Sequence, residues 1–242
     1  MTETVRFGEH VISDFFTVVG VQRPPVSTSN TFTEVSGMDG ARMTDSKLGQ
    51  ATAKVFVMTS DKNLADMREA VRRLCGMIYT DEPKVLSFSS DNGRYYKAVL
   101  DGEVPFVEHT RSGLFELNFV TESPTLYGSE KSVTVPSGGS VTISVGGTYP
   151  TCPVIEGSVY GSGANTLWGL RLDEGDYIRI STGSTSARNV MIDCENARAT
   201  VSSAVKLPIL GSDWLELTPR VHTIRNDVGS GSCTLRWTER WL

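Results

Sequence analysis

The residues of this chain that could do chemistry are few and scattered. His109 beside Glu108 offers a base with a neighbouring carboxylate, and Asp193 with Glu195 offers a carboxylate pair, the minimal equipment for general acid–base work. Neither comes with a nucleophile or an orienting group at a completing distance in sequence, and alternating acids on a strand ordinarily face water. There is no G-x-S-x-G elbow, no H-E-x-x-H helix and no phosphate-binding loop. Cys75, Cys152, Cys194 and Cys233 lie far apart without a C-x-x-C pair, and the three histidines (His10, His109, His222) do not supply the remaining ligands of a zinc site. The expectation is no catalytic residue, no metal, no cofactor, and buried reduced thiols.

A different chemistry, stacking on sugar rings, is open to the aromatic residues of the second half: Tyr149, Tyr160, Trp168, Tyr177, Trp214, Trp237 and Trp241. Tyr160, Trp168 and Trp214 are the candidates for such a platform. Against it, a β-sandwich core consumes several large aromatics, and alternation puts most of these on an inner face. The glycine-rich stretches at Gly161–Asn165 and Gly229–Ser232 precede no helix, so they read as hairpin loops rather than phosphate cradles.

The charge balance narrows the partners. The net charge of −5 divides into 13 basic against 17 acidic residues up to Gly128, and 10 against 11 beyond it. Gripping nucleic acid needs a basic surplus, so sequence-specific nucleic-acid binding is not expected. The N-terminus lacks the basic start and apolar stretch of a signal peptide, which predicts folding in the cytoplasm where the chain is made. No run of 18 apolar residues occurs, so no membrane-spanning helix is expected.

Alternation and turn signals place these residues on elements. Up to residue 128 the pattern predicts extended segments over Val5–Val21, Phe32–Val35 and Ala53–Met58, then strands at Val85–Ser89, Tyr95–Val104 and Leu114–Thr121. Phe115, Leu117 and Phe119 share one face of the last. Gly37–Gln50 is polar and aperiodic, and reads as a loop or protruding hairpin. One helix stands out: Leu64, Met67, Val71 and Leu74 recur at helical spacing, with Ser60 or Asp61 as N-cap, Arg72 and Arg73 near the C-terminus, and Gly76 placed to end it. Beyond Ser129, short strands are predicted about every ten residues, among them Val154–Tyr160, Ala199–Lys206, Trp214–Leu217 and Cys233–Trp237, with no helix. The fold class is therefore mainly β: an N-terminal α+β domain over 1–128, in which one helix lies on antiparallel strands, and a C-terminal jelly-roll sandwich over 129–242.

The order of these parts carries a resemblance. A strand with Phe7-Gly8 and a following turn, the Val35–Gly40 loop, the lone helix, the F-x-L-x-F strand closing with Glu122–Gly128, a jelly roll, and the late LPILGSDWLEL turn together resemble the distal tail proteins of siphophages. The second half is similar to their galectin-like C-terminal domain, although Asp213-Trp214 stands where a Gly-Asn pair is common. The resemblance implies a hexameric ring at the virion tail tip, between the tail tube protein and the tail-associated hub protein, assembled in the host cytoplasm. DNA would pass through the ring, and receptor-binding proteins or a host glycan would meet the outer domains. On that reading Gly37, Met38, Asp39, Gly40, Arg42 and Lys47 belong to a segment ordered against a neighbour. The competing expectation is a free-standing carbohydrate-binding sandwich.

Overall fold

Residues 3–23, 26–60, 64–104, 106–108 and 112–242 are described by the computed structural model. They divide into two units, the first ending at Leu126 and the second running Tyr127–Trp241.

In the first unit, β1 (Val5–Phe7), β2 (His10–Val11), β3 (Thr17–Gln22), β4 (Thr28–Glu34), β5 (Ala41–Leu48) and β6 (Ala51–Ser60) precede α1 (Leu64–Ile78). After it come β7 (Lys84–Phe88), β8 (Tyr95–Leu100), β9 (Phe106–Glu108) and β10 (Ser112–Thr121). β10 pairs antiparallel with β6 along its whole length, from Ser112↔Ser60 to Thr121↔Ala51. β6 then pairs with β3, and β8 and β9 lie on the other side of β10. The alternation in β6 and β10 has a plain cause: Ala53, Val55 and Val57 turn to the same core as Phe115, Leu117 and Phe119, all at most 2% exposed. Phe7 and Phe16 complete that core with rings 4.9 Å from Phe119 and 5.8 Å from Phe115.

Helix α1 packs through Met67, Leu74 and Ile78, which are buried, with Val71 partly buried. It runs two residues past Gly76, contrary to the sequence expectation. An interior glycine costs a helix only about 1 kcal/mol, whereas full burial of an isoleucine such as Ile78 contributes roughly 1.5–3 kcal/mol. Arg72 and Arg73 consequently lie outside the last turn, and both reach Glu69 on the exposed side at 3.6 Å. The N-cap expected at Asp61 lies outside the described residues, and so does the side chain of Ser60. Cys75 is exposed and Cys152 half-buried, which corrects the expectation of four buried thiols. Burial does push Cys194 and Cys233 up to about 12.

The second unit is a two-sheet sandwich. Its strands are β11 (Leu126–Val135), β12 (Ser140–Ser144), β13 (Val154–Tyr160), β14 (Leu167–Leu172), β15 (Tyr177–Ser181), β16 (Arg188–Asp193), β17 (Arg198–Val201), β18 (Ala204–Lys206), β19 (Val221–Val228) and β20 (Ser230–Trp241). One sheet has the order β18-β17-β16-β13-β20-β11, and the other the order β12-β19-β14-β15. Ile155, Ile192 and Leu235 from the first meet Trp168, Leu170, Ile178, Ile180 and Ile224 from the second in one core, every one of them fully buried.

Three expectations are corrected here. Ala199–Lys206 is a hairpin rather than one strand, because the chain reverses at Ser202 and Ser203, both with positive φ as a two-residue turn requires. Trp214–Leu217 is no strand: it belongs to an irregular segment tied down by reciprocal backbone hydrogen bonds between Thr151 and Leu217 at 2.7 and 2.9 Å, which sinks Leu215 and Leu217 into the core. Of the glycine-rich stretches, Gly161–Asn165 does lie in a hairpin turn, closed by reciprocal backbone hydrogen bonds between Ser162 and Leu167, both 2.9 Å, whereas Gly229–Ser232 is no hairpin loop. Gly161–Asn165 and Gly229 carry the chain from one sheet to the other, and Gly231 lies within β20. At Gly229, φ is +79° and a Cβ would stand 2.6 Å from the Tyr160 carbonyl oxygen, so no side chain fits.

Candidate assembly surface

The feature of the first unit that the core does not explain is the pair β4 and β5. They form a hairpin of their own, joined to no other strand among the described residues, and every side chain from Thr28 to Lys47 is exposed. Serine, threonine and asparagine make up most of β4, β5 carries Thr44 and Ser46 among charged residues, and Gly37 and Gly40 supply positive φ (+84° and +85°) in the connecting turn. The segment Gly37–Gln50, expected as a loop or protruding hairpin, is thus the turn and second strand of a hairpin whose first strand is β4. Its strands show no period-two pattern because, with neither face buried, there is no alternation to see.

Pairing register sorts its side chains by face. Phe32 stands opposite Met43, in line with the pairs Thr28↔Leu48 and Asn30↔Ser46, and Ser46 Oγ donates to Asn30 Oδ1 at 2.7 Å. Ser29↔Lys47, Thr31↔Asp45 and Thr33↔Arg42 take the other face, and Thr44 is the extra residue of a bulge. Of the residues singled out in the sequence, Arg42 and Lys47 therefore share one face of β5, while Gly37, Met38, Asp39 and Gly40 form the turn. Phe32 (60% exposed), Met38 (62%) and Met43 (55%) are the apolar groups, and Phe32 and Met43 were missed because two isolated apolar residues make no pattern.

β3 offers a second open surface. It ends its sheet, with β6 on one side and no strand on the other among the described residues. A cleft of about 410 Å³ runs beside it, lined by Thr17, Val19, Val21 and Arg23. Unpaired strand edges are templates for pairing with another chain. A further cleft of about 320 Å³ lies between Asp14–Phe16 and α1, lined also by Asp66, Ala70 and Arg73.

The residues proposed for sugar stacking do not form an exposed platform. Trp168 is completely buried in the sandwich core, which corrects its assignment to a platform. Trp214 packs half-buried against that same core, and Tyr160 is 45% exposed on a strand of the other sheet. Tyr177 has the guanidinium groups of Arg171 and Arg179 at 5.1 and 4.2 Å from its ring centre. The acid–base candidates have structural work instead: Asp193 accepts backbone N–H bonds from Glu195 and Asn196, both 3.1 Å, and Glu195 pairs with Arg240. His109 lies outside the described residues, and so does the side chain of Glu108. No cluster of three potential metal ligands occurs among the described residues.

Two carboxylates of the sandwich are held ionised. Burial raises the pKa of Asp227, but hydrogen bonds from Arg179 and Arg171 and their charges outweigh it and leave the group below the usual carboxylate range. Asp173 is lowered first by the Thr223 backbone N–H at 2.8 Å, then by His222 and Arg220 at 2.9 and 3.0 Å. A carboxylate depressed in the folded state contributes stability that is present above its unfolded pKa, about 3.9 for aspartate, and lost as pH falls through the folded value. The melting temperature of the sandwich is therefore expected to be insensitive to these groups between pH 7 and 5 and to drop below about pH 4. Asp227→Asn should flatten that acid limb in a calorimetric pH series, and an unchanged limb would contradict the assignment.

Comparison with known proteins agrees with this two-part architecture. Residues 6–121 match the family model described as phage tail protein RIFT-related domain, and residues 146–241 match that of the siphovirus-type tail component, C-terminal domain. No curated protein sequence matches the chain significantly. Among solved structures, the chain is similar over its whole length to SPP1 Dit, described as a paradigm of the hub adsorption apparatus in phages infecting Gram-positive bacteria. The identity is 19%, all of both chains is covered, and the TM-score is 0.81. A chain of the phage p2 baseplate in its activated conformation matches at 10% identity and a TM-score of 0.50, with 98% of each chain covered. Two tail-component families matched in chain order, on a fold shared from end to end with a Dit protein, carry one conclusion: the chain belongs to the siphophage distal tail protein family and is a structural component of a phage tail.

Proposed function

We propose that this chain closes into a hexameric ring at the tail tip, joining the tail tube protein to the tail-associated hub protein. The first 128 residues form the ring and its channel, and residues 129–242 project outward to hold receptor-binding or other baseplate components. The observation that carries this reading is the hairpin of β4 and β5: a two-stranded hairpin with no buried side chain is marginal in water, so one that is kept at full length calls for a neighbour. The open edge of β3 supports it in the same way. The acidic balance of the first 128 residues suits a channel through which DNA slides without being held. The role is mechanical, without catalysis, and assembly takes place in the host cytoplasm. The hub function named for SPP1 Dit supports this role for a chain of the same fold.

Glycan binding by the sandwich has less behind it, since Trp168 is completely buried and Trp214 half-buried against the core, leaving Tyr160 as the one well-exposed aromatic of the three. Negative-stain imaging of the purified chain separates the two readings. Rings with a central hole are the expected result. Single particles of one chain that bind on a glycan array would favour the alternative.

A further inference from the structure

The late LPILGSDWLEL segment belongs to no strand ladder, yet its first half is fixed along the free edge of β15. The Ile209 N–H donates to the Arg179 carbonyl at 2.9 Å and the Asp213 N–H to the Tyr177 carbonyl at 2.8 Å. The Ser212 N–H closes the turn on the Ile209 carbonyl at 3.0 Å. Gly211 has φ +85°, and a Cβ on it would stand 3.0 Å from the Tyr177 hydroxyl. The leucines of this pinned turn nevertheless face water, Leu207 84% exposed and Leu210 completely. An apolar ridge that is rigid without serving the core is preformed for a contact.

Beside it, the outer face of β14, β15 and β19 carries a charge that the chain does not neutralise. Arg171 and Arg179 donate their Nε–H groups to the two oxygens of one carboxylate, Asp227, at 2.9 and 2.5 Å. Asp227 is the extra residue where the β14–β19 register shifts. Gly169 lets Arg179 lie across the sheet, since a Cβ there would come 2.7 Å from Arg179 Cγ. Two guanidinium groups on one carboxylate leave one positive charge over, with the Nη edge of Arg179 unbonded among the described residues. Arg225 stands directly opposite Arg171, an unfavourable pairing of like charges, and its partner Glu174 is 3.5 Å away and 90% exposed. Asp176 and Asp213 are exposed nearby and make no ion pair with these arginines.

We infer that ridge and arginines form one docking surface, for a tail protein that offers an apolar pocket to Leu210 and carboxylates to Arg171, Arg179 and Arg225. This rests on the reading that residues 129–242 hold other baseplate components, and adds the place and the chemistry of the contact. Forked guanidinium groups suit carboxylates, and their excess charge selects an acidic partner. The leucines select a protein over an anionic polymer, which has no apolar pocket to offer.

Leu210→Asp and Arg225→Glu test the two halves separately, in virions assembled with the full-length variant chain. Leu210 is outside the core and the glutamate would face Arg171, so both chains are expected to fold. Leu207→Asp takes the place of Leu210→Asp should that variant unfold by circular dichroism. Quantitative mass spectrometry of purified virions should show the same tail protein reduced at least ~30-fold in both, as for loss of a central contact, with tube and hub proteins unchanged. Revertants of Arg225→Glu should carry an acidic-to-basic change in that protein. A complete protein set in both variants would overturn the inference. A complete set with adsorption to host cells lost would overturn it in favour of an anionic envelope polymer, and a changed mass of the purified variants in solution would overturn it in favour of a second copy. Imaging the same chains keeps the readings apart: rings with a complete protein set overturn this surface alone, and a wild-type chain without rings, together with a complete set, overturns both.

Discussion

Replacing residues 28–48 with a short glycine–serine linker is expected to abolish the ring and leave both units folded. Thr28 and Leu48 are a Cα pair in the register of the hairpin, and paired residues of antiparallel strands lie about 4.5–5.5 Å apart. A linker of three or four residues therefore closes the gap without strain. No side chain of the first unit's core comes from this segment, so the melting temperature should move by no more than about 2 °C, in keeping with surface changes of about ±0.5 kcal/mol. Association should behave differently. Ring contacts run head to tail between two unlike patches, so losing one of them removes every contact at once. A weakening of at least ~100-fold, about 2.7 kcal/mol per contact, is the minimum expected of an interface centre. Sedimentation velocity together with circular dichroism reads both quantities. A deletion that keeps the full assembly would remove the hairpin from the account, and one that unfolds the first unit would show that its role is internal.

The second large effect is on stability. Trp168→Ala should destabilise the sandwich by about 3–5 kcal/mol, the usual cost of truncating a buried large aromatic, because Trp168 is completely buried among Leu170, Ile178, Ile180 and Ile224. Against a typical domain stability of about 5–15 kcal/mol this is a large fraction, and for a unit of this size it amounts to a fall of roughly 10–20 °C in the melting temperature. Tyr160→Ala, on a 45% exposed residue, should stay within about 0.5 kcal/mol. A glycan platform would give the opposite pattern, with Trp168→Ala losing sugar affinity at unchanged stability. Calorimetry of the two variants decides between them, and a Trp168→Ala protein that melts like wild type would contradict the core assignment.

What could be read from the sequence was whatever faced a core on one side only. Phe115, Leu117 and Phe119 alternate with Glu116 and Asn118 because one face of β10 is wet, and the structure has that strand over Ser112–Thr121. Val154–Tyr160 was legible for the same reason and has the expected bounds. The helix announced itself through Met67, Val71 and Leu74, but its end did not, since the burial of Ile78 outweighs the propensity of Gly76. Ala199–Lys206 looked continuous because its reversal uses two serines at positive φ rather than glycine. Leu215 and Leu217 alternate like a strand and are buried like one, but their backbone is held by the Thr151 bridge instead of a ladder. The assembly surface was the least legible. Lys47 and Arg42 could be singled out, but their separation from Phe32 and Met43 by strand face depends on a pairing register that a polar, two-sided hairpin does not advertise. The cleft beside Phe15 joins Asp14–Phe16 to Asp66, Ala70 and Arg73 of α1, residues some fifty positions apart, and only the folded chain brings them together.

The central claim is that this tail protein closes on itself, and the mass of the purified wild-type chain in solution tests it most directly. Light scattering over a range of concentrations should give six times the mass of the chain, or a climb towards that value with no species beyond it. A mass that remains that of one chain at every concentration would contradict the ring.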